Sequence, residues 1–563
     1  MSPRYSIGLD YGTNSCRALL VDLADGREVA TRVFPYPSGE LGILTDSKDP
    51  NLARQNPADY LAGIETTVCS VLEQAKTKVP GFSPDQVVGM GIDTTGSSPL
   101  PVDAQGVPLA FQPAFKDNLH AQVWLWKDHT SHVEAAEITA LASKMRPQYL
   151  AKVGGTYSSE WFWSKILRCR RVAPEVFNAA ASWVEYCDWL PAVLTGTTAP
   201  ASVRRSVCAA GHKAMFNPAW GGLPDAEFLA ALDPALAELR PRLFSEAFPA
   251  DAPAGGLCDE WAKRLGLRAG LPVAVGAFDA HMGAVGAGVT EGALVKIVGT
   301  STCDIMISPN DKPLADIPGV CGIVDGSVLS GFFGIEAGQS GVGDIFLWFV
   351  NNLVPGENSD EKFETLGRLA QAQKPGEHGL LALDWNNGNR TILVDVRLTG
   401  LLLGQTLHTK PHEIYRALME ATAFGALAII DRIEEYGVPI REVINCGGLS
   451  IRNPLLMQIY ADVTGRPMKV ARSEQTPALG AALFGAVAAG AFASVHEAQA
   501  ATCGIRTVYQ PNPEAHAVYK ELYRLYRQLH DAFGMPQWQG SMANVMKDLL
   551  VIRDRQRSSQ EEK

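Results

Sequence analysis

Gly12-Thr13-Asn14-Ser15-Cys16-Arg17-Ala18-Leu19-Leu20 and Gly299-Thr300-Ser301-Thr302-Cys303-Asp304-Ile305-Met306-Ile307 follow one pattern, residue against residue. Each comes after a short apolar run and enters another, so each reads as a β-hairpin with a turn of Gly, Thr and Ser. In the first copy the strands fall at 7–10 and 17–22, and Asp25-Gly26 turns the chain into a third strand near 28–32. Chance likeness is the competing reading, because these residue types are common in every turn. Two hairpins in one register, one near the start of each half, point instead to a duplicated domain.

Outward from these hairpins, strands alternate with helices. Strands read at 87–93, 271–277 and 442–445, a strong helical pattern at 413–434, and a further helix over 453–464 with Pro454 in its first turn. The class is α/β. A chain of 563 residues is too long for one core. The expected division is 1–288 and 289–545, with 546–563, charged and rich in Gln and Ser, as a flexible tail.

Composition removes several function classes. Hydrophobic residues make up 46% and charged residues 19%, which suits a folded chain rather than a disordered one. A net charge of −11 and the lack of a basic stripe argue against nucleic acid as a partner. An anionic ligand remains open, because backbone N–H groups and a metal can hold one. The apolar run at 478–495 is mostly Ala and Gly, which gain little from lipid, so it reads as a closely packed buried helix and not as a membrane span. The start of the chain lacks a signal-peptide pattern, and ten cysteines lie scattered without metal spacing. Reduced thiols and a cytoplasmic location are the expectation.

No Gly-x-x-x-x-Gly-Lys-Ser/Thr loop occurs, and no Gly-x-Gly-x-x-Gly follows a strand; Gly89-Met90-Gly91 falls inside one. In their place stand the two Gly-Thr/Ser turns, whose successive N–H groups and hydroxyls form concave anion sites able to grip a polyphosphate from both sides. Asp10 precedes the first turn where Ile297 precedes the second. One carboxylate beside a phosphate cradle suits Mg²⁺, the alternative being a turn-capping role. Gly447-Gly448, between a strand end and a helix start, occupies a usual ligand position in open α/β sheets, or is an ordinary tight turn. Glu336 ends the apolar run Phe332-Phe333-Gly334-Ile335 and needs a partner there.

Gly8-Leu9-Asp10-Tyr11-Gly12-Thr13, Gly299-Thr300-Ser301, Asn445-Cys446-Gly447-Gly448 and Tyr415-Arg416-Ala417-Leu418-Met419-Glu420-Ala421 resemble the FGGY carbohydrate kinases. The resemblance runs from about residue 5 to about 540. Asp93-Thr94-Thr95-Gly96-Ser97-Ser98-Pro99, Leu125-Trp126-Lys127-Asp128-His129, Tyr157-Ser158-Ser159-Glu160-Trp161-Phe162-Trp163, Ala210-Gly211-His212-Lys213, Gly276-Ala277-Phe278-Asp279-Ala280-His281-Met282-Gly283 and Ile335-Glu336-Ala337-Gly338-Gln339-Ser340 are most similar to the branch acting on L-ribulose.

The resemblance implies two actin-like (ribonuclease H-like) domains with a cleft between them, the first binding sugar and the second nucleotide. It implies ATP as co-substrate, Mg²⁺ and a homodimer, while charge and composition give the expectation of no nucleic-acid or membrane partner. Asp279 would be the general base, with a helix N-cap as the plain alternative. Ser97, Lys213 and Glu336 would join Asp279 in binding the sugar. Thr13, Asn14, Ser15, Thr300 and Ser301 would cradle phosphates, Gly447, Gly448 and Asn453 the adenosine, and Asp10 the metal. L-ribulose is the first expectation, with xylulose, D-ribulose or ribitol as alternatives, and a sugar-responsive regulator without turnover as the reading from another class. The Trp-rich segments read as sugar-stacking faces or as core, His129 as structural, and His281 as either.

Overall fold

The computed structural model describes residues 4–558, and its two largest sheets have seven strands each. The first runs Pro253–Gly256, Pro272–Ala274, Val87–Thr94, Tyr5–Tyr11, Ser15–Asp22, Glu28–Pro35, with Ala277–Phe278 also beside Val87–Thr94. The second runs Gly322–Asp325, Phe332–Ala337, Thr302–Pro309, Ala293–Val298, Glu442–Cys446, Met468–Ala471, Ile505–Tyr509. In each sheet the first strand of the expected hairpin pairs antiparallel with its partner and parallel with a strand that enters from a helix. The duplication is therefore present at the level of sheet topology.

The residue-by-residue match of the hairpins slips by one across the turn. Tyr11 pairs with Cys16 in the first copy, whereas Val298 pairs with Thr302 in the second. The first turn closes with Gly12 N–H on the Ser15 carbonyl and the second with Gly299 N–H on the Ser301 carbonyl, each at 3.0 Å. The second turn is one residue shorter, and a run of Gly, Thr and Ser looks the same at either length.

The Ala/Gly run forms the helix Thr476–Ala488, and it lies on the first sheet although it belongs to the second half of the chain. A Cβ on Gly8 would stand 1.7 Å from the Ala478 carbonyl oxygen, and one on Gly91 1.9 Å from that of Ala481. The same helix crosses Asp279–Ala287, where a Cβ on Gly480 would meet the Met282 carbonyl at 1.9 Å. Small residues on both sides let backbones touch, which explains a composition that is apolar yet unlike lipid-facing sequence. One buried cluster accordingly mixes Leu19, Val21, Met282, Ile305, Leu479 and Leu483 from both halves. No helix among the described residues is long and apolar enough to cross a membrane.

One expectation is corrected. The tail from 546 is largely the helix Val545–Ser558, which buries Val545, Leu549 and Ile552 in the second core; residues 559–563 lie outside the described ones. Its three buried apolar positions sit at helical spacing, and they dock it. Of the Trp-rich segments, Trp124, Trp161 and Trp163 fill a buried cluster of the first half, while Trp126 is half-buried and reaches Thr13.

Candidate active site

Three aspartates gather where parallel strands end. Asp10 pairs in register with Asp93, and Asp93 with Ala277, two residues before Asp279. In-register residues of neighbouring strands point to one face, so the carboxylates of Asp10 and Asp93 stand side by side. Asp279 is the first residue of its helix; Phe278 is the cap, so the plain N-cap alternative does not hold. The Asp279 carboxylate accepts the Ala280 N–H at 2.7 Å. Burial, then the charge of Asp10, pushes Asp279 up to about 7. Asp10 is raised by burial and restrained by Arg17, whose guanidinium lies 3.3 Å away.

Both hairpin turns are braced. Gln55 donates to the Thr13 carbonyl at 2.6 Å, Trp126 donates to the Thr13 hydroxyl at 3.0 Å, and Asn14 donates to the Leu41 carbonyl at 2.7 Å. Ser15 begins the following strand and closes the turn through its carbonyl. The Thr300 carbonyl accepts N–H groups of Val342 and Asp344, which ties the second turn to the start of the helix Gly343–Leu353. Ser301 is half-buried between them, and a Lys296–Asp304 pair at 2.8 Å lies in the interior behind.

Gly447 has φ +89°, and a Cβ there would sit 2.6 Å from the Val298 carbonyl oxygen. Only glycine fits between this turn and the second hairpin. Gly448 follows it, exposed, as the first residue of a short helix. Asn453 caps the helix Pro454–Thr464, accepting from Leu456 N–H at 3.0 Å, so its carbonyl oxygen already has a structural duty.

Lys213 and Glu336 meet at 3.0 and 3.2 Å. Lys213 ends the helix Val207–Lys213 in the first half, and Glu336 lies on Phe332–Ala337 in the second. Burial works against the Glu336 charge, but Lys213, His212 and His281 outweigh it and hold the carboxyl far below the usual range. His212 Nδ1 stands 3.4 Å from Glu336, and the two imidazoles approach through their Nε2 atoms at 3.1 Å. His281 is buried in the same cluster, its Nε2 3.9 Å from Glu336. His129 is exposed and bound to Ser159.

Ser97 is fully buried, and its hydroxyl donates to Glu185, which also accepts Ser98 N–H at 2.7 Å. Lys165 donates to the Ser97 carbonyl at 2.7 Å and the Leu125 carbonyl at 2.8 Å, and burial lowers it to about 7. Sequence reading passed over Asp93, Lys165, Glu185 and His212. Glu185 carried the signal that marked Glu336, a carboxylate ending an apolar strand, here Ser182–Glu185.

The geometry joins the two halves of the chain. Glu336 reaches Lys213 from the second half, while Asp10 and the first turn belong to the first. A helix and an edge strand make this contact close: a Cβ on Gly322 would fall 2.1 Å from His212 Nδ1.

Comparison with known proteins agrees with this architecture. Residues 5–286 match the N-terminal domain, and 294–489 the C-terminal domain, of the FGGY family of carbohydrate kinases. The chain belongs to the FGGY carbohydrate kinases. Among its relatives in this family, the ribulokinase of Shouchella clausii is 44% identical across 98% of each chain. That of Geobacillus thermodenitrificans is 43% identical across 100% of this chain and 99% of the relative. The xylulose kinase structure from Rhodospirillum rubrum shares the FGGY fold at a TM-score of 0.78, with 23% identity, covering 94% of this chain and 99% of that one. As a member of the family, the chain is an ATP-dependent sugar kinase.

Proposed function

We propose that the chain transfers the γ-phosphoryl group of ATP to L-ribulose, giving ADP and L-ribulose 5-phosphate. The observation that carries this reading is the Lys213–Glu336 pair beside Asp279, in a chain similar along its whole length to ribulokinases. Lysine offers donors and glutamate acceptors, so the pair orients the hydroxyls of a polyol. Asp279 accepts the proton of the attacking hydroxyl, and its raised pKa keeps it near the working pH of a general base. Thr13, Asn14, Ser15, Thr300 and Ser301 line turns suited to phosphate oxygens, and Gly447 and Gly448 let adenosine approach the backbone. Asn453 borders that face through its helix. Ser97 acts on the sugar from the buried loop that Glu185 and Lys165 hold.

Phosphoryl transfer asks mainly for positioning and charge neutralisation. Mg²⁺ is the metal of this reading, and its chemistry there is to offset charge on the phosphates. Oxygen ligands are what it requires, and Asp10, partly exposed beside a second carboxylate that no donor satisfies, fits it. The functional division near residue 288, cytoplasmic residence and a homodimer accompany the proposal. Light scattering reads the last, and the ten cysteines, all free, suit a reducing compartment.

A coupled ADP-release assay with Mg-ATP against L-ribulose, D-ribulose, L-xylulose, D-xylulose and ribitol tests the reading. The highest kcat/KM is expected on L-ribulose. A preference for another sugar removes the substrate assignment and leaves the chemistry. ATP binding without sugar-dependent turnover removes the assignment of this activity altogether.

A further inference from the structure

Asp93, the second carboxylate beside Asp10, has no ligand of its own in the proposed reaction. It is 0% exposed, and apart from the Asp10 carboxyl beside it neither of its oxygens has a hydrogen-bond partner among the described residues. A carboxylate in that condition is costly unless a proton or a cation supplies the missing partner. Its position narrows the choice. Strand register sets it directly beside Asp10 and one row from the strand that leads into Asp279. The charges that bear on it are those of Asp10 and Asp279, both negative, and then that of Arg17, which is already engaged with Asp10. The row therefore concentrates negative charge at the mouth of the strands with one arginine to balance it.

We propose that Asp93 is a second carboxylate for the divalent cation, so that Asp10 and Asp93 hold the ion together from adjacent strands. Mg²⁺ is commonly held by one or two carboxylates, with phosphate oxygens and waters completing the shell. Two carboxylates on one face of a sheet present their oxygens from one side and leave the opposite side to the nucleotide. Asp279, one row away, stays with the sugar. The inference rests on the reading of this cleft as a metal–nucleotide site, and it does not depend on which sugar is phosphorylated. Its rival is a proton shared between Asp10 and Asp93, with the ion touching Asp10 alone.

The test uses full-length protein with ADP, no sugar, and Mn²⁺ as the probe, free Mn²⁺ being counted by electron paramagnetic resonance. Asp93→Asn is expected to weaken Mn²⁺ binding by roughly tenfold or more, while ADP affinity in EDTA stays within about twofold. Unchanged Mn²⁺ affinity in a folded Asp93→Asn protein overturns the proposal in favour of the shared proton. Where that variant fails to fold, Asp10→Asn answers instead: a weakened but surviving Mn²⁺ site shows that another carboxylate holds the ion, and complete loss overturns the proposal. A wild-type protein with no Mn²⁺ site in the presence of ADP removes the metal–nucleotide reading and this one with it. A site that Asp93→Asn leaves intact removes this one alone.

Discussion

Asp279 is pulled in two directions: burial and Asp10 favour its protonated form, while the Ala280 N–H and Lys213 favour its charged form. The first pair wins, and the base is poised at about 7 in the free protein. Since only the ionised carboxylate accepts a proton, kcat/KM should fall roughly tenfold per pH unit below that point and level off above it. Asp279→Asn should lower kcat by roughly 10²–10⁴-fold with ADP affinity by calorimetry unchanged. Turnover close to wild type would remove Asp279 from the role. Lys213→Met leaves Glu336 in the interior without its ammonium, a loss of roughly 3–5 kcal/mol for a broken buried pair. Thermal unfolding should show the loss, and the sugar KM should rise. Adding Glu336→Met should restore stability without restoring sugar binding; recovery of both would make the pair purely structural. Glu336 was legible as a single residue, because a carboxylate in an apolar strand demands a partner, and Lys213 only through the family resemblance. Their partnership was not, since 123 positions separate them. Ser97 and Glu185 show the same limit across 88 positions.

Secondary elements were legible where periodicity was strong, as in the helix Pro411–Glu435 and the strands Val87–Thr94 and Glu442–Cys446. They were lost where composition masks geometry: the shorter second turn has the residues of the longer one, and the helix Val545–Ser558 hides its three buried positions among charges. The helix Thr476–Ala488 was readable as buried, but which sheet it covers depends on backbone approach that no side-chain pattern encodes. Its role predicts opposite outcomes for one substitution at two sites. Gly91→Ala sets a methyl against a main-chain carbonyl 1.9 Å away, where nothing can rotate aside. It should lower the melting temperature markedly. Gly367→Ala, in the helix Ser359–Gln371 with nothing within 4 Å, should raise stability by about 0.5–1 kcal/mol. Equal effects by calorimetry would mean that the helix does not press on the sheet.

At the scale of the molecule, two halves were evident from the repeated hairpin, and the contact that joins them was not. A sequence places Glu336 after the division and Lys213 before it, and only the meeting of an edge strand with a helix makes them one site. The same interleaving appears on the first sheet. Its glycine-lined face is covered by residues 476–488, so the polypeptide before residue 288 ends without the layer that shields it. A fragment 1–288 made alone should therefore show little protection from proteolysis, and supplying 289–563 as a second polypeptide should restore it; a stable, protected fragment would mean that the sheet closes by another route. During synthesis the consequence is one of timing. The first-made half must wait on the ribosome, its face uncovered, until most of the second has emerged, and a chaperone holding the nascent chain has that whole interval in which to act.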